Sequence, residues 1–290
     1  MDTIRIDKEY VAARIPPRKS DSHKGMNGRA AVVGGSRIYH GAPFHAAMAA
    51  LRTGLDIVYL AVPAAIATPV RAMSPDLIVI PLPDSKLTRG NANKLVSWLP
   101  ALDCIGVGPG LGPQNPDELA YALTKFSTKS KTLVADADAL RSSIIEVAKK
   151  VPMVVTPHYG EFERLFSAKV EGDLEARVRL VSEKARESGM TVLLKGPVDI
   201  VSDGEDVGLN ATHTPAMTTA GTGDVLTGVV TGLCAKGIPA FEAACCAAYI
   251  NGAAGVEASK RVGLHMVASD LVEEIPSVMR EFDRIEGSSE

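Results

Sequence analysis

The chain has 290 residues, of which 46% are hydrophobic and 22% charged, with a formal net charge of −3. That length can bury a full core and fits one large α/β domain or two small ones. The slight excess of acid argues against long nucleic acid or an anionic membrane as the main partner, but it leaves room for a local phosphate site.

In chain order, residues 1–28 are polar, carry Pro16-Pro17, and read as a lead-in arm. The opening Met1-Asp2-Thr3-Ile4-Arg5 lacks the apolar core of a secretory leader. Arg29–Val33 is a short apolar run ended by Gly34-Gly35-Ser36, which suits a buried strand and its turn. Residues 42–54 have helical spacing, Asp56–Val62 reads as a strand stopped by Pro63, and Leu77–Ile80 as another strand. The apolar stretch Phe44–Val70 is interrupted by Arg52, Asp56 and prolines, too broken to span a bilayer. A helix is predicted over 91–99. Asp103–Val107 is a strand running into Gly108-Pro109-Gly110-Leu111-Gly112, and Pro116–Phe126 is helical. Strands follow at Thr132–Ala135, ending in Asp136, at Met153–Thr156, ending in Pro157-His158, and at Thr191–Leu194, ending in Lys195-Gly196. A helix lies between the last two, over 174–188, and helix patterns dominate from 223 onward.

Short apolar strands alternating with helices predict a mainly parallel sheet covered on both faces, with ligands at the carboxyl ends of its strands. No linker or repeat divides the chain, so one domain is expected over residues 1–290. The four cysteines, Cys104, Cys234, Cys245 and Cys246, form no C-x-x-C pair and read as small buried hydrophobes in a reducing, cytoplasmic setting.

The densest chemical signal is Thr218–Gly228. Gly221 and Gly223 permit a tight turn, and the helix after them directs free N–H groups and a positive dipole end at one point, a combination that attracts phosphate. Asp224 would repel phosphate unless it works as a base on a hydroxyl or a metal intervenes. The segment therefore reads as a phosphoryl-transfer site with its own base, although Gly-Thr-Gly-Asp also suits a plain capped helix start. A Walker P-loop is absent, and Gly106–Gly112 has the wrong spacing for a dinucleotide fingerprint. His158 and Glu161, three apart, would share a helix face, where Glu161 could hold Mg²⁺ through waters or simply occupy a first helical turn. Lys195 offers a cation at a strand end, or is merely solvated there.

Taken in order, these motifs resemble the ADP/ATP-dependent NAD(P)H-hydrate dehydratases, a branch of the ribokinase-like superfamily. The resemblance rests on His23-Lys24-Gly25, Val33-Gly34-Gly35-Ser36, Tyr39-His40-Gly41-Ala42, Gly108–Gly112, Asp136-Ala137-Asp138-Ala139-Leu140, Thr156-Pro157-His158 with Gly160-Glu161, Leu194-Lys195-Gly196, Ala220–Leu226 and Ala268-Ser269-Asp270. It implies a single-domain ribokinase-like three-layer sandwich. The implied reaction dehydrates (S)-NAD(P)H hydrate back to NAD(P)H, with ADP or ATP as co-substrate and Mg²⁺ as cofactor; ADP would give AMP and phosphate. On this resemblance Asp224 is the catalytic base, and the backbone of Ala220, Gly221, Thr222 and Gly223 is the anion hole. Lys195, Gly196, Pro197, Val198, Asp199 and Gly223 hold the nucleotide, Ala42, Gly110, His158 and Asp224 contact the hydrate, and Glu161 orders Mg²⁺ indirectly. It further implies a homo-oligomer, with a tetramer as one form, and a separate epimerase partner, since no epimerase domain precedes the first motif. Many members carry Thr-Gly-Asn-Pro-Gly-Met where this chain has Thr212-His213-Thr214-Pro215-Ala216-Met217, which leaves ADP against ATP open. The competing readings are a vitamin or sugar kinase of the same fold, and a nucleotide-binding sensor without chemistry.

Overall fold

The computed structural model describes residues 3–287. Seven parallel strands form the body of one sheet: β3 (Arg29–Val33), β4 (Ile57–Pro63), β5 (Ile78–Leu82), β6 (Leu102–Val107), β7 (Ser130–Ala135), β8 (Met153–Val155) and β9 (Thr191–Leu194). Each pairs with its neighbour in the spatial order β9-β8-β7-β6-β3-β4-β5. β1 (Ile4–Arg5), β10 (Asp199–Ser202) and β11 (Val207–Asn210) extend it to ten strands, and β2 (Arg18–Lys19) pairs separately with β12 (Ile285–Glu286).

Side chains alternate across a strand, and here both faces are dry. In β3, Ala30 and Val32 face one core cluster while Ala31 and Val33 face the other. The first cluster is closed by α2 (Gly41–Arg52), α3 (Ala64–Met73), α9 (Thr222–Ala235), α10 (Ala240–Val262) and α11 (Ala268–Met279). The second is closed by α4 (Arg89–Trp98), α5 (Pro116–Phe126), α6 (Ile145–Ala148), α7 (Tyr159–Phe166) and α8 (Leu174–Ser188). This is the expected three-layer α/β sandwich, and double-sided burial explains why its strands read as unbroken apolar runs.

Local chemistry sets the helix ends. Asn115 accepts from the backbone N–H groups of Asp117 and Glu118 ahead of α5, with Pro116 in the first turn. Asp173 caps α8 through the Ala176 N–H, and Gly189 ends it in the left-handed conformation. α2 and α9 run parallel in close contact: a Cβ on Gly228 would run into the Ala46 carbonyl oxygen, and one on Gly232 would lie 2.9 Å from that of Ala50. Only glycine permits this approach, so both helices start at the same end of the sheet.

Three features depart from the sequence reading. The lead-in is not a free arm. Ile4 and Arg5 pair with Gly208 and Leu209, and α1 (Lys8–Ala12) buries Tyr10 and Val11. Residues beyond 194 form an antiparallel hairpin, β10 with β11, that was not read as strand. α3 follows β4 directly, with Pro69 inside it. All four cysteines are buried and free, as expected. Among the described residues no helix is long and apolar enough to cross a membrane.

Candidate active site

The turns at the carboxyl ends of β6, β7, β8 and β9 meet the start of α9. Gly221, the residue before the helix, has φ 98°, a conformation glycine adopts freely and other residues rarely do. No side chain caps the helix, so its first N–H groups are open to an anion. The preceding loop is tied down by threonines. Thr222 Oγ1 donates to the carbonyls of Met217 (2.8 Å) and Thr219 (3.0 Å), and Thr219 Oγ1 donates to Met266 O (3.0 Å).

Behind the helix start lies a charged cluster. Asp136, 2% exposed, follows β7 and accepts from Thr227 Oγ1 of α9 at 2.7 Å and from Lys195 Nζ at 3.0 Å. Lys195 follows β9, and its Nζ also lies 3.4 Å from a Glu161 carboxylate oxygen. Burial pulls the Lys195 pKa down, but Asp136 and Glu161 outweigh it and leave it above the ordinary lysine value. The lysine is therefore neither merely solvated nor free for a ligand alone: it joins two acids. A Cβ on Gly223 would sit 3.4 Å from its ammonium, which places the charge beside the anion-binding turn. The backbone is strained at this point, for Ala137, next to Asp136, has φ 52°.

Asp224 sits in the first turn of α9 and takes no hydrogen bond from the described residues. Burial raises its pKa, Asp136, Glu161 and Asp138 raise it further, and Lys195 partly offsets them, which brings it to about 7. A general base works best near the operating pH, and burial with the neighbouring acids brings this carboxylate into that range.

His158 and Glu161 are placed by a capping box at the start of α7. His158 Nδ1 accepts from the Gly160 and Glu161 N–H groups at 3.1 and 3.3 Å, and the His158 N–H donates to Glu161 at 2.8 Å. The capped helix start that the sequence allowed is thus present.

A cavity of about 660 Å³ brings together most residues read from the sequence: His158, Lys195, Gly196, Pro197, Asp199, Ala220, Gly221, Thr222 and Gly223 line it. Val198, Glu161 and Asp224 do not line it. Asp199 is turned onto the protein, accepting from the Gly196 N–H at 3.1 Å and Asn210 Nδ2 at 3.0 Å, so it shapes the loop rather than presenting a free charge. Ala42 and Gly110 lie outside the lining but adjoin each other, since a Cβ on Gly110 would be 3.2 Å from that of Ala42. Sequence reasoning gave no role to Asp136, Thr227 or Asn251. Asp136 carried a signal, an acid directly after an apolar strand; the others sit inside helix patterns where nothing marks them.

A model of the NAD(P)H-hydrate dehydratase family matches residues 30–277. An ADP-dependent (S)-NAD(P)H-hydrate dehydratase from Cenarchaeum symbiosum is 46% identical over 282 residues, 97% of this chain and 98% of that protein. One from Nitrosopumilus maritimus is 48% identical over 272 residues, 93% of this chain and 95% of the relative. The structure of the Bacillus subtilis ADP/ATP-dependent NAD(P)H-hydrate dehydratase, co-crystallised with ATP and Mg²⁺, superposes with a TM-score of 0.84 at 26% identity, covering 98% of this chain and all of that one. With a match over most of its length and relatives this similar end to end, the chain belongs to the NAD(P)H-hydrate dehydratase family.

Proposed function

We propose that this protein restores NAD(P)H from its (S) hydrate, with ADP as phosphoryl donor. The observation that carries the reading is Asp224, a partly buried carboxylate with a pKa near 7, set at an uncapped helix start that can receive phosphate. Asp224 takes the proton of the ring hydroxyl as its oxygen attacks the terminal phosphorus of ADP. The bond from that phosphorus to the bridging oxygen breaks, and AMP departs with the electron pair. The N–H groups of the Gly221–Gly223 turn receive the negative charge on the transferred group. The carbon–oxygen bond then breaks, inorganic phosphate leaves, and loss of a proton from the neighbouring ring carbon forms the double bond.

The donor set fits Mg²⁺ that arrives with the nucleotide. Among the described residues no group of three or more His, Cys, Asp or Glu is arranged to hold a metal ion, and Asp136 and Glu161 both face Lys195. Glu161 would hold the ion through water, phosphate oxygens would supply the remaining donors, and the ion would neutralise phosphate charge. Lys195, Gly196 and Pro197 would hold the AMP portion, while Ala42, Gly110 and His158 would face the hydrate. ADP-dependence in the two archaeal relatives favours ADP over ATP as donor.

The test is absorbance at 340 nm after mixing the protein with hydrated NADH, Mg²⁺ and ADP or ATP, with phosphate release followed in parallel. Growth of the reduced-nicotinamide band together with phosphate supports the reading. A stable phosphorylated product without phosphate release would instead mark a kinase.

A further inference from the structure

Asn251, on α10, lines the candidate nucleotide cavity and is 5% exposed. Its side chain makes no hydrogen bond to the described residues, and its Oδ1 is buried without a partner. Buried amides are normally paired, so one left unpaired in a ligand cavity needs an explanation. Other polar side chains around the cavity are already committed: Asp199 to Gly196 and Asn210, Thr222 to Met217 and Thr219, Lys195 to Asp136.

The surroundings indicate which part of the nucleotide lies here. Ala248, Leu226, Met217, Pro215 and Pro197 give the cavity apolar walls. Gly252, next to Asn251, lets α10 close directly on the Thr212 carbonyl, and Gly255 packs under Met217. A wall of this kind suits a flat, weakly polar ring rather than phosphate, and the open N–H groups at the start of α9 provide for the phosphates separately.

We propose that Asn251 reads the nucleobase, its amide pairing with the 6-amino group and N7 of adenine. An amide carries a donor and an acceptor side by side, and adenine presents the complement. The last torsion of asparagine is broad, so a turn about it offers either amide atom to the cavity. The assignment rests on the nucleotide-dependent reading above and gives it a base preference. A water in the cavity would also satisfy the amide, but it would create no preference between bases.

The test is calorimetric binding of ADP and of inosine diphosphate, which carries oxygen at position 6, to the full chain and to Asn251→Leu. The wild type is expected to bind ADP roughly 10- to 100-fold more tightly than inosine diphosphate, the discrimination typical of one bidentate amide–base pair. Asn251→Leu should weaken ADP binding and bring the two within about threefold, the range left when that pair is gone. Equal weakening of both ligands, or an unchanged ratio, would overturn the assignment. Thermal melting checks that the variant folds, and Asn251→Ser, which shortens the reach but stays polar, gives the same comparison if leucine is not tolerated. The binding ratio does not depend on turnover. A wild type that binds ADP selectively yet never regenerates NADH would sink the dehydratase reading and leave the base assignment standing.

Discussion

The two ends of α9 are built in opposite ways. At its C-terminus three of the last carbonyls are answered. The Lys236 N–H donates to the Gly232 and Leu233 carbonyls, the Gly237 N–H to Cys234, and Lys236 Nζ reaches the Thr53 carbonyl at 3.1 Å. At its N-terminus nothing caps the helix, and Asp224 has no hydrogen-bond partner among the described residues. The same helix therefore has one end finished by the protein and one end left open, and the open end is the one proposed above to receive phosphate. An open helix start beside a partly buried acid costs stability.

Breaking the open end should have the largest effect. Asp224→Asn should lower kcat by at least about 10²-fold, the usual loss for a positioned base, measured as NADH regeneration at 340 nm. Its melting temperature should not fall, because the asparagine is neutral where the carboxylate is strained. The pH dependence sharpens the point. Asp224 acts when deprotonated, so kcat/KM should rise with pH through about 7 and fall away below it. Stability should run the other way. The folded chain holds this proton above the unfolded pKa of 3.8, so the contribution of Asp224 to stability declines as pH rises from about 4 through about 7.

Next in size is Lys195→Met. It would leave Asp136 and Glu161 buried without their cation, a loss of about 3–5 kcal/mol for a broken buried pair, read by urea unfolding. Because Lys195 pulls the Asp224 pKa down, the same variant should move the activity profile to higher pH. Gly228→Ala tests the scaffold. The added methyl meets the Ala46 carbonyl, and overpacking of this kind costs about 1–3 kcal/mol. At a helix start that the protein caps itself, Asp173→Ala should remove about 1 kcal/mol through loss of the α8 cap, read by urea unfolding.

Much of this arrangement was legible in the sequence because the chemistry follows the strands. An apolar run ending in glycine, acid or lysine marks a strand and the site residue after it, and Gly221–Asp224 announces both the turn and the base. The partnerships were not legible. Lys195 and Asp136 are 59 positions apart, and nothing local to either shows that they meet. Nor did the hairpin β10–β11 show itself. Its strands have four residues each and include polar Asp199, Ser202 and Asn210; the first and last of these meet each other across the hairpin, and Ser202 meets Ser182 of α8, contacts that no local pattern shows. The lead-in misled for a related reason. Its polar average conceals Ile6, Val11 and Ile15, which are spaced too irregularly to mark a strand yet are buried in the core.

The glycine contacts between α2 and α9 have a consequence for how the reactants meet. Gly228 against Ala46 and Gly232 against Ala50 lock the two helices in step, four residues to four. The start of α2 carries Ala42, and the start of α9 carries the anion-binding turn. A shift of either helix would have to force backbone against backbone, so the distance between the places proposed for the alcohol and for the phosphoryl group is fixed when the chain folds. The encounter of the two substrates then needs no search for alignment, and the entropy of that alignment is already spent before either one binds.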